Sequence, residues 1–193
     1  MQNYKLGEYI RQRRLDLGLT QEQVCAGICE SVTLSRFENG KQTPSRNRIN
    51  AILQRLGLPD DRYYALVTPE ELEIEALKKE IVSCNALKCV EEGFDKISRL
   101  EKIAKPDDQI TQQFILRSKV LLGGLDKRYS NDVRIQMLLQ AIRMTIPDFQ
   151  LDKIEDFLFT LDEMKLVNQI GNAYSLSGDN KKQPIFSIDC FNI

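Results

Sequence analysis

The chain has 193 residues, 42% of them hydrophobic and 28% charged, a balance that suits a folded soluble protein without covalent staples. No run reaches the length of a membrane span, and the opening "MQNYKLGEYI" lacks the basic-then-apolar order of a signal peptide, so a cytoplasmic address and no membrane partner are expected. The net charge of −1 is unevenly placed: residues 1–58 hold nine Lys and Arg against five Asp and Glu, or +4, which leaves −5 on the remainder, as expected of a module that meets phosphate joined to one that does not.

Helix one is expected across "YKLGEYIRQRRLDLG", with Leu6, Ile10 and Leu17 as its apolar stripe and Gly18 as its stop. Thr20 and Gln23 form a Thr-x-x-Gln capping box that opens a short second helix carrying Val24 and Ile28 inward. Gly27 permits a tight turn. A third helix over "SVTLSRFENG" then places Leu34 and Phe37 on one face and leaves Ser31, Val32, Thr33, Ser35 and Arg36 on others, before Asn39-Gly40 ends it. Thr43-Pro44-Ser45 starts a fourth helix with Ile49, Ile52, Leu53 and Leu56 buried.

After Leu58, "PDDRYYALVTPEEL" reads as a hinge with one short helix over Tyr63, Tyr64 and Leu66. Thr68, Pro69 and Glu71 then mark the start of a long helix. Beyond it only Pro106, Pro147 and Pro184 interrupt the chain, at intervals of 37, 41 and 37 residues, and the intervals read as paired amphipathic helices. The expected fold is all-α: a four- or five-helix bundle over residues 1–66, then an α-solenoid over 67–193.

The complete lack of histidine removes Ser-His and Cys-His nucleophile systems and the usual neutral-pH general base. Cys25, Cys29, Cys84, Cys89 and Cys190 lie in C-x3-C and C-x4-C spacings that are not zinc-ribbon pairs, and are read as reduced, mostly buried thiols. No phosphate-cradling Gly loop or paired carboxylates are evident. No enzymatic activity, cofactor or metal is expected.

The motifs "Arg14-x3-Gly18-Leu19-Thr20-Gln21-Glu22", "Leu34-Ser35-Arg36-Phe37-Glu38-Asn39-Gly40-Lys41" and "Pro44-Ser45" resemble the lambda-repressor-like (Cro/cI, XRE-type) helix-turn-helix over about a third of the chain. The resemblance implies that the third helix enters the DNA major groove, with Ser31, Val32, Thr33 and Arg36 as base readers. Gln21, Ser35, Asn39, Lys41, Thr43 and Ser45 suit phosphate contacts. It also implies an Arg14–Glu38 pair that holds the fold. Val32 is alternatively a core residue, Ser35 a solvated helix position, and Lys41, Arg46 and Arg48 ordinary surface charge. Two features depart from the family: a turn one residue shorter, and Glu30 where a small N-cap is usual.

In "EMKLVNQIGNAYSLSGDNKKQ", Gly171, Tyr174 and Gly178-Asp179 match the eighth, eleventh and fifteenth to sixteenth places of a tetratricopeptide repeat, whose second helix Pro184 should break. In such repeats the concave positions are here Lys165, Asn168, Asn172 and Ser175, which can bond an extended peptide or serve only as a solvated face. Head and body together resemble the PlcR/Rgg-type peptide-responsive regulators of Gram-positive bacteria. The resemblance implies a transcription regulator, of the quorum-sensing kind, that binds double-stranded DNA at an inverted repeat as a homodimer and answers to a short signalling peptide. The competing reading is a protein-interaction adaptor whose helix-turn-helix head no longer binds DNA.

Overall fold

The computed structural model describes residues 6–60 and 69–177. They form nine α-helices and one 3-10 segment, with no strand among them. Four helices make the head: α1 (Leu6–Asp16), α2 (Gln21–Cys25), α3 (Ser31–Glu38) and α4 (Arg46–Arg55). The expected short helix at Tyr63, Tyr64 and Leu66, the cap Thr68, and Gly178, Asp179, Pro184 and Cys190 lie outside the described residues.

Local signals explain where the head helices start. Thr20 Oγ1 accepts from the Gln23 N–H at 3.2 Å while Gln23 Oε1 accepts from the Thr20 N–H at 2.8 Å, so the reciprocal capping box is formed. Glu30, exposed, occupies the N-cap of α3 and makes no side-chain cap bond. The head core gathers Ile10, Val24, Ile28, Leu34, Phe37, Ile49, Ile52, Leu53 and Leu56. The expectation for Leu17 is corrected. α1 ends at Asp16 and Leu17 is 42% exposed. The inward stripe of α1 is Gly7, Ile10 and Arg14, spaced by three and four residues, so a charged residue takes the place the pattern gave to leucine.

Helix pairs make the body: α5 (Pro69–Leu87) with α6 (Val90–Ile103), then α7 (Gln109–Leu125) with α8 (Asn131–Thr145), followed by α9 (Leu161–Leu176). Each packs on its neighbour in the chain, and α5 also touches α7 across the next pair, which is the nearest-neighbour stacking of a solenoid. Ile74, Leu77 and Ile81 of α5 meet Ile97 and Leu100 of α6 and Ile115 and Leu122 of α7 in one core. A second core joins Leu138 and Ile142 of α8 to Leu166, Val167 and Ile170 of α9. Pro69 does open α5, and helix pairs fill the first two proline-bounded intervals.

The third interval departs from that expectation. Between Pro147 and α9 the chain forms a 3-10 segment, Leu151–Asp156, broken by non-helical backbone at Lys153. The phenylalanines on either side of it form a local aromatic cluster: the rings of Phe149, Phe157 and Phe159 lie 5.9 to 6.4 Å apart between centroids. That cluster covers the end of the second body core.

Candidate nucleic-acid interface and ligand cleft

The turn between α2 and α3 fixes the direction of α3. Ala26 has φ −49° and ψ 123°, Gly27 has φ +67°, and the Ile28 N–H bonds the Cys25 carbonyl at 2.9 Å, which together make a type II β-turn. Such a turn demands a positive φ at its third residue, and glycine supplies it without steric cost.

A buried network then fixes the two helices. Arg14 Nε and Nη2 donate to Glu38 Oε1 and Oε2 at 2.7 and 2.8 Å, and Arg14 Nη1 donates to the Leu19 carbonyl at 2.9 Å. The hydrogen bond to Glu38 outweighs burial and raises the Arg14 pKa, so the guanidinium stays charged. Gln21 Nε2 also donates to Glu38 Oε2, at 2.7 Å. The start of α2 is thereby tied to the end of α3.

This frame leaves one face of α3 in solvent. Val32 is 54% exposed, which removes the core alternative. Arg36 lies one turn on from it, exposed, with no ion pair among the described residues, and half-buried Ser31 and Thr33 flank the stripe. Ser35 is half-buried beside them. The phosphate candidates divide. Lys41 and Thr43 are exposed, and Ser45 is the N-cap of α4 with no side-chain cap bond. Asn39 is engaged in capping its own helix, its Nδ2 donating to the Ser35 carbonyl at 2.7 Å. Gln21, with one amide N–H donated to Glu38, keeps its second amide N–H, its side-chain oxygen and its helix-start N–H for another partner.

Residues 5–66 match the family model described as a helix-turn-helix domain. The head is a helix-turn-helix domain. Comparison with curated proteins gave no match. Among solved structures, the chain is similar to Bacillus thuringiensis PlcR, determined in complex with the peptide PapR7 and DNA, at 23% identity and a TM-score of 0.48. The similarity covers 93% of this chain and 61% of that one.

The helix-turn-helix domain meets the body through groups that sequence reasoning missed. Arg55 of α4 is buried and donates from Nη1 to the carbonyls of Val24 and Ala26, at 3.2 and 2.5 Å, at the end of α2. Its Nη2 donates to Glu163 Oε1 of α9 at 3.0 Å. Glu163 Oε2 in turn accepts from the Thr160 N–H at 2.6 Å, completing the capping box of α9. One guanidinium therefore joins the turn before α3 to the start of α9. Beside it, Gly27 abuts the backbone of Thr145 so closely that a Cβ there would overlap the Thr145 carbonyl. Gln54 Oε1 also accepts from the Leu161 N–H at 3.1 Å.

Between α4 of the head and α5, α7 and α9 of the body lies a cleft of about 710 Å³. Its wall includes Lys78, whose ammonium sits 5.6 Å from the centre of the Phe114 ring, and Arg117, which pairs with Asp162 at 3.5 Å and donates to Gln169 at 3.2 Å. Burial lowers the Arg117 pKa against the opposing pull of Asp162. Cations beside an aromatic ring suit a carboxylate attached to an apolar group. Lys165 lines this cleft; Asn168, Asn172 and Ser175 lie exposed along α9 and do not. The repeat motif in the sequence marks only α9, whereas Lys78 and Arg117 are brought in by stacking of the earlier pairs.

Proposed function

We propose that the protein is a sequence-specific DNA-binding transcription regulator, acting as a cytoplasmic homodimer on an inverted repeat, whose helical body binds a short peptide signal. The observation that carries this reading is the solvent face of α3, where Val32 and Arg36 stand one turn apart on a basic head and Leu34, Phe37 and Glu38 hold the helix from behind. A valine methyl packs on a thymine methyl, and an arginine forks onto guanine O6 and N7. Dimeric bodies would set two such helices about 34 Å apart, one DNA turn. The cleft between head and body supports the peptide part, because a ligand held there touches α4 of the head as well as the body.

The test is selection of genomic DNA fragments by the purified protein, with and without spent culture medium. A short inverted repeat should be enriched, and Arg36→Ala should weaken its binding by about 5- to 150-fold, the equivalent of 1–3 kcal/mol. Absence of salt-dependent, sequence-selective binding by the intact protein would overturn the reading. Glu30 favours the adaptor reading as the second choice, since its exposed carboxylate at the start of α3 repels phosphate. A stoichiometric protein partner recovered in a pull-down without DNA would promote it.

A further inference from the structure

Helix α4 lies across the starts of three body helices. At its beginning the Arg46 N–H donates to Glu71 Oε1, in the first turn of α5, at 3.3 Å. Arg48 Nη2 donates to the carbonyl and the carboxylate of Asp107, beside the N-cap of α7, at 3.2 and 3.4 Å. In its last turn Gln54 accepts from the Leu161 N–H and Arg55 donates to Glu163, both in the first turn of α9. The 10 residues of α4 rise over about 15 Å, so the head is attached at both ends of a lever and has no single pivot.

The two ends are unequal. The Arg48 and Asp107 side chains are 27% and 75% exposed, and an ion pair open to water holds little. Arg55 and Glu163 are both buried, and separating them leaves uncompensated charge in the interior. The Arg55 guanidinium also bonds the Val24 and Ala26 carbonyls, so it grips the stretch of chain that leads into α3. On the other side of that turn Gly27 rests against the Thr145 main chain, and buried Gln113 of α7 holds Thr145 in place, its Nε2 donating to Thr145 Oγ1 at 2.6 Å and to the Ala141 carbonyl at 3.0 Å. The direction of α3 is therefore fixed against α7, α8 and α9 as well as against the core of the head.

We propose that Arg55 and Glu163 are positioning residues that set the half-site spacing a pair of these chains accepts, by locking the head onto the start of α9. This rests on the reading of the protein as a dimeric DNA-binding regulator. Each base pair added between two half-sites carries one of them about 3.4 Å along the duplex and about 35° around it. A locked head cannot follow that rotation, so α3 of one chain loses its base edges when the spacing changes. With the lock opened, what remains at the other end of α4 is a main-chain bond to Glu71 and a solvent-exposed pair with Asp107, which yield. The head then turns, and both half-sites are met at neighbouring spacings.

The test measures binding of the full-length chain to duplexes carrying its selected inverted repeat with the spacer lengthened or shortened by one base pair, and to a duplex with a single half-site. The wild type should lose about 10-fold or more in affinity at either altered spacing, the equivalent of one or more base contacts. Glu163→Ala should lose less than about 3-fold, Glu163→Gln should fall between, and Asp107→Asn should keep the wild-type profile. Binding to the single half-site should stay within about 2-fold in every variant, which shows that the head is folded and its reading face intact. Hydrogen–deuterium exchange reads the lock without DNA: in Glu163→Gln the amides of Leu161 and Ile28 should exchange faster together, while those of α6 do not change. The proposal is overturned if the wild type tolerates the altered spacings, if Glu163→Ala keeps the wild-type profile, or if exchange at Leu161 and Ile28 is unchanged. A wild-type protein that selects no DNA overturns the regulator reading and this proposal together, whereas a spacing preference that survives Glu163→Ala overturns this proposal alone.

Discussion

Replacing Glu163 by alanine should loosen the junction between head and body more than any surface change. The Arg55 and Glu163 side chains are 2% and 1% exposed, so removal of the carboxylate leaves a guanidinium in the interior without its counter-charge. Breaking a buried pair from one side costs about 3–5 kcal/mol, and the lost capping box of α9 adds roughly 0.5–2. Arg55 Nε already has no hydrogen-bond partner among the described residues, so the cation has little to fall back on. For a chain of this size each kcal/mol lowers Tm by about 2–4 °C, which gives a fall of about 7–28 °C. The chain holds no tryptophan, so far-UV circular dichroism is the suitable probe of the melt. Glu163→Gln retains an acceptor for the Thr160 N–H and should lose less than alanine does. A Glu163→Ala protein that melts within about 1 °C of the parent would show that water replaces the carboxylate and that the joint is not a buried ion pair.

Gly27→Ala should lower Tm by several degrees as well, because alanine costs about 1–2 kcal/mol at positive φ and its methyl would displace the Thr145 backbone; an unchanged melting curve would refute the close approach. Glu30→Ser should stabilise α3 by about 0.5–1 kcal/mol through a side-chain cap that the carboxylate does not form, and should tighten binding to the selected DNA. With a maleimide reagent, Cys29 should react before Cys25, and its rate should rise at a pH below the roughly 8.5 of an ordinary thiol, since a depressed pKa exposes thiolate at lower pH. Competition mass spectrometry across a pH series checks both the order and the midpoint.

The helices of the head are legible because each is marked locally. Thr20 and Gln23 announce α2, and Ile49, Ile52, Leu53 and Leu56 describe one stripe. The exposed position of Val32 and Arg36 follows from the same periodicity. Leu17 misleads because apolar spacing says nothing about a buried arginine, and Arg14 is buried only because Glu38, 24 residues on, is there to receive it. The same blindness hides the joint. Arg55 sits on the inward face of α4 in place of an apolar residue, and its partner is 108 residues away. Thr160 and Glu163 could be read as a helix start, but no local rule says that the second carboxylate oxygen serves a different part of the molecule. The aromatic segment between Pro147 and α9 fails for another reason: its phenylalanines fit a helix pattern loosely, and three rings packing on one another settle the backbone.

The contact of Gly27 with Thr145 bears on how such chains can be recombined. Head and body look separable on paper, each with a core of its own, and a new DNA specificity could be imagined by exchanging the first sixty residues for those of another protein. Here the seam is made of main chain against main chain, beside an arginine reaching across it. A donor head would fit this body only if it brought no side chain at the position of Gly27 and a guanidinium at that of Arg55. Shuffling is therefore limited to donors that share both, whatever their recognition helices read.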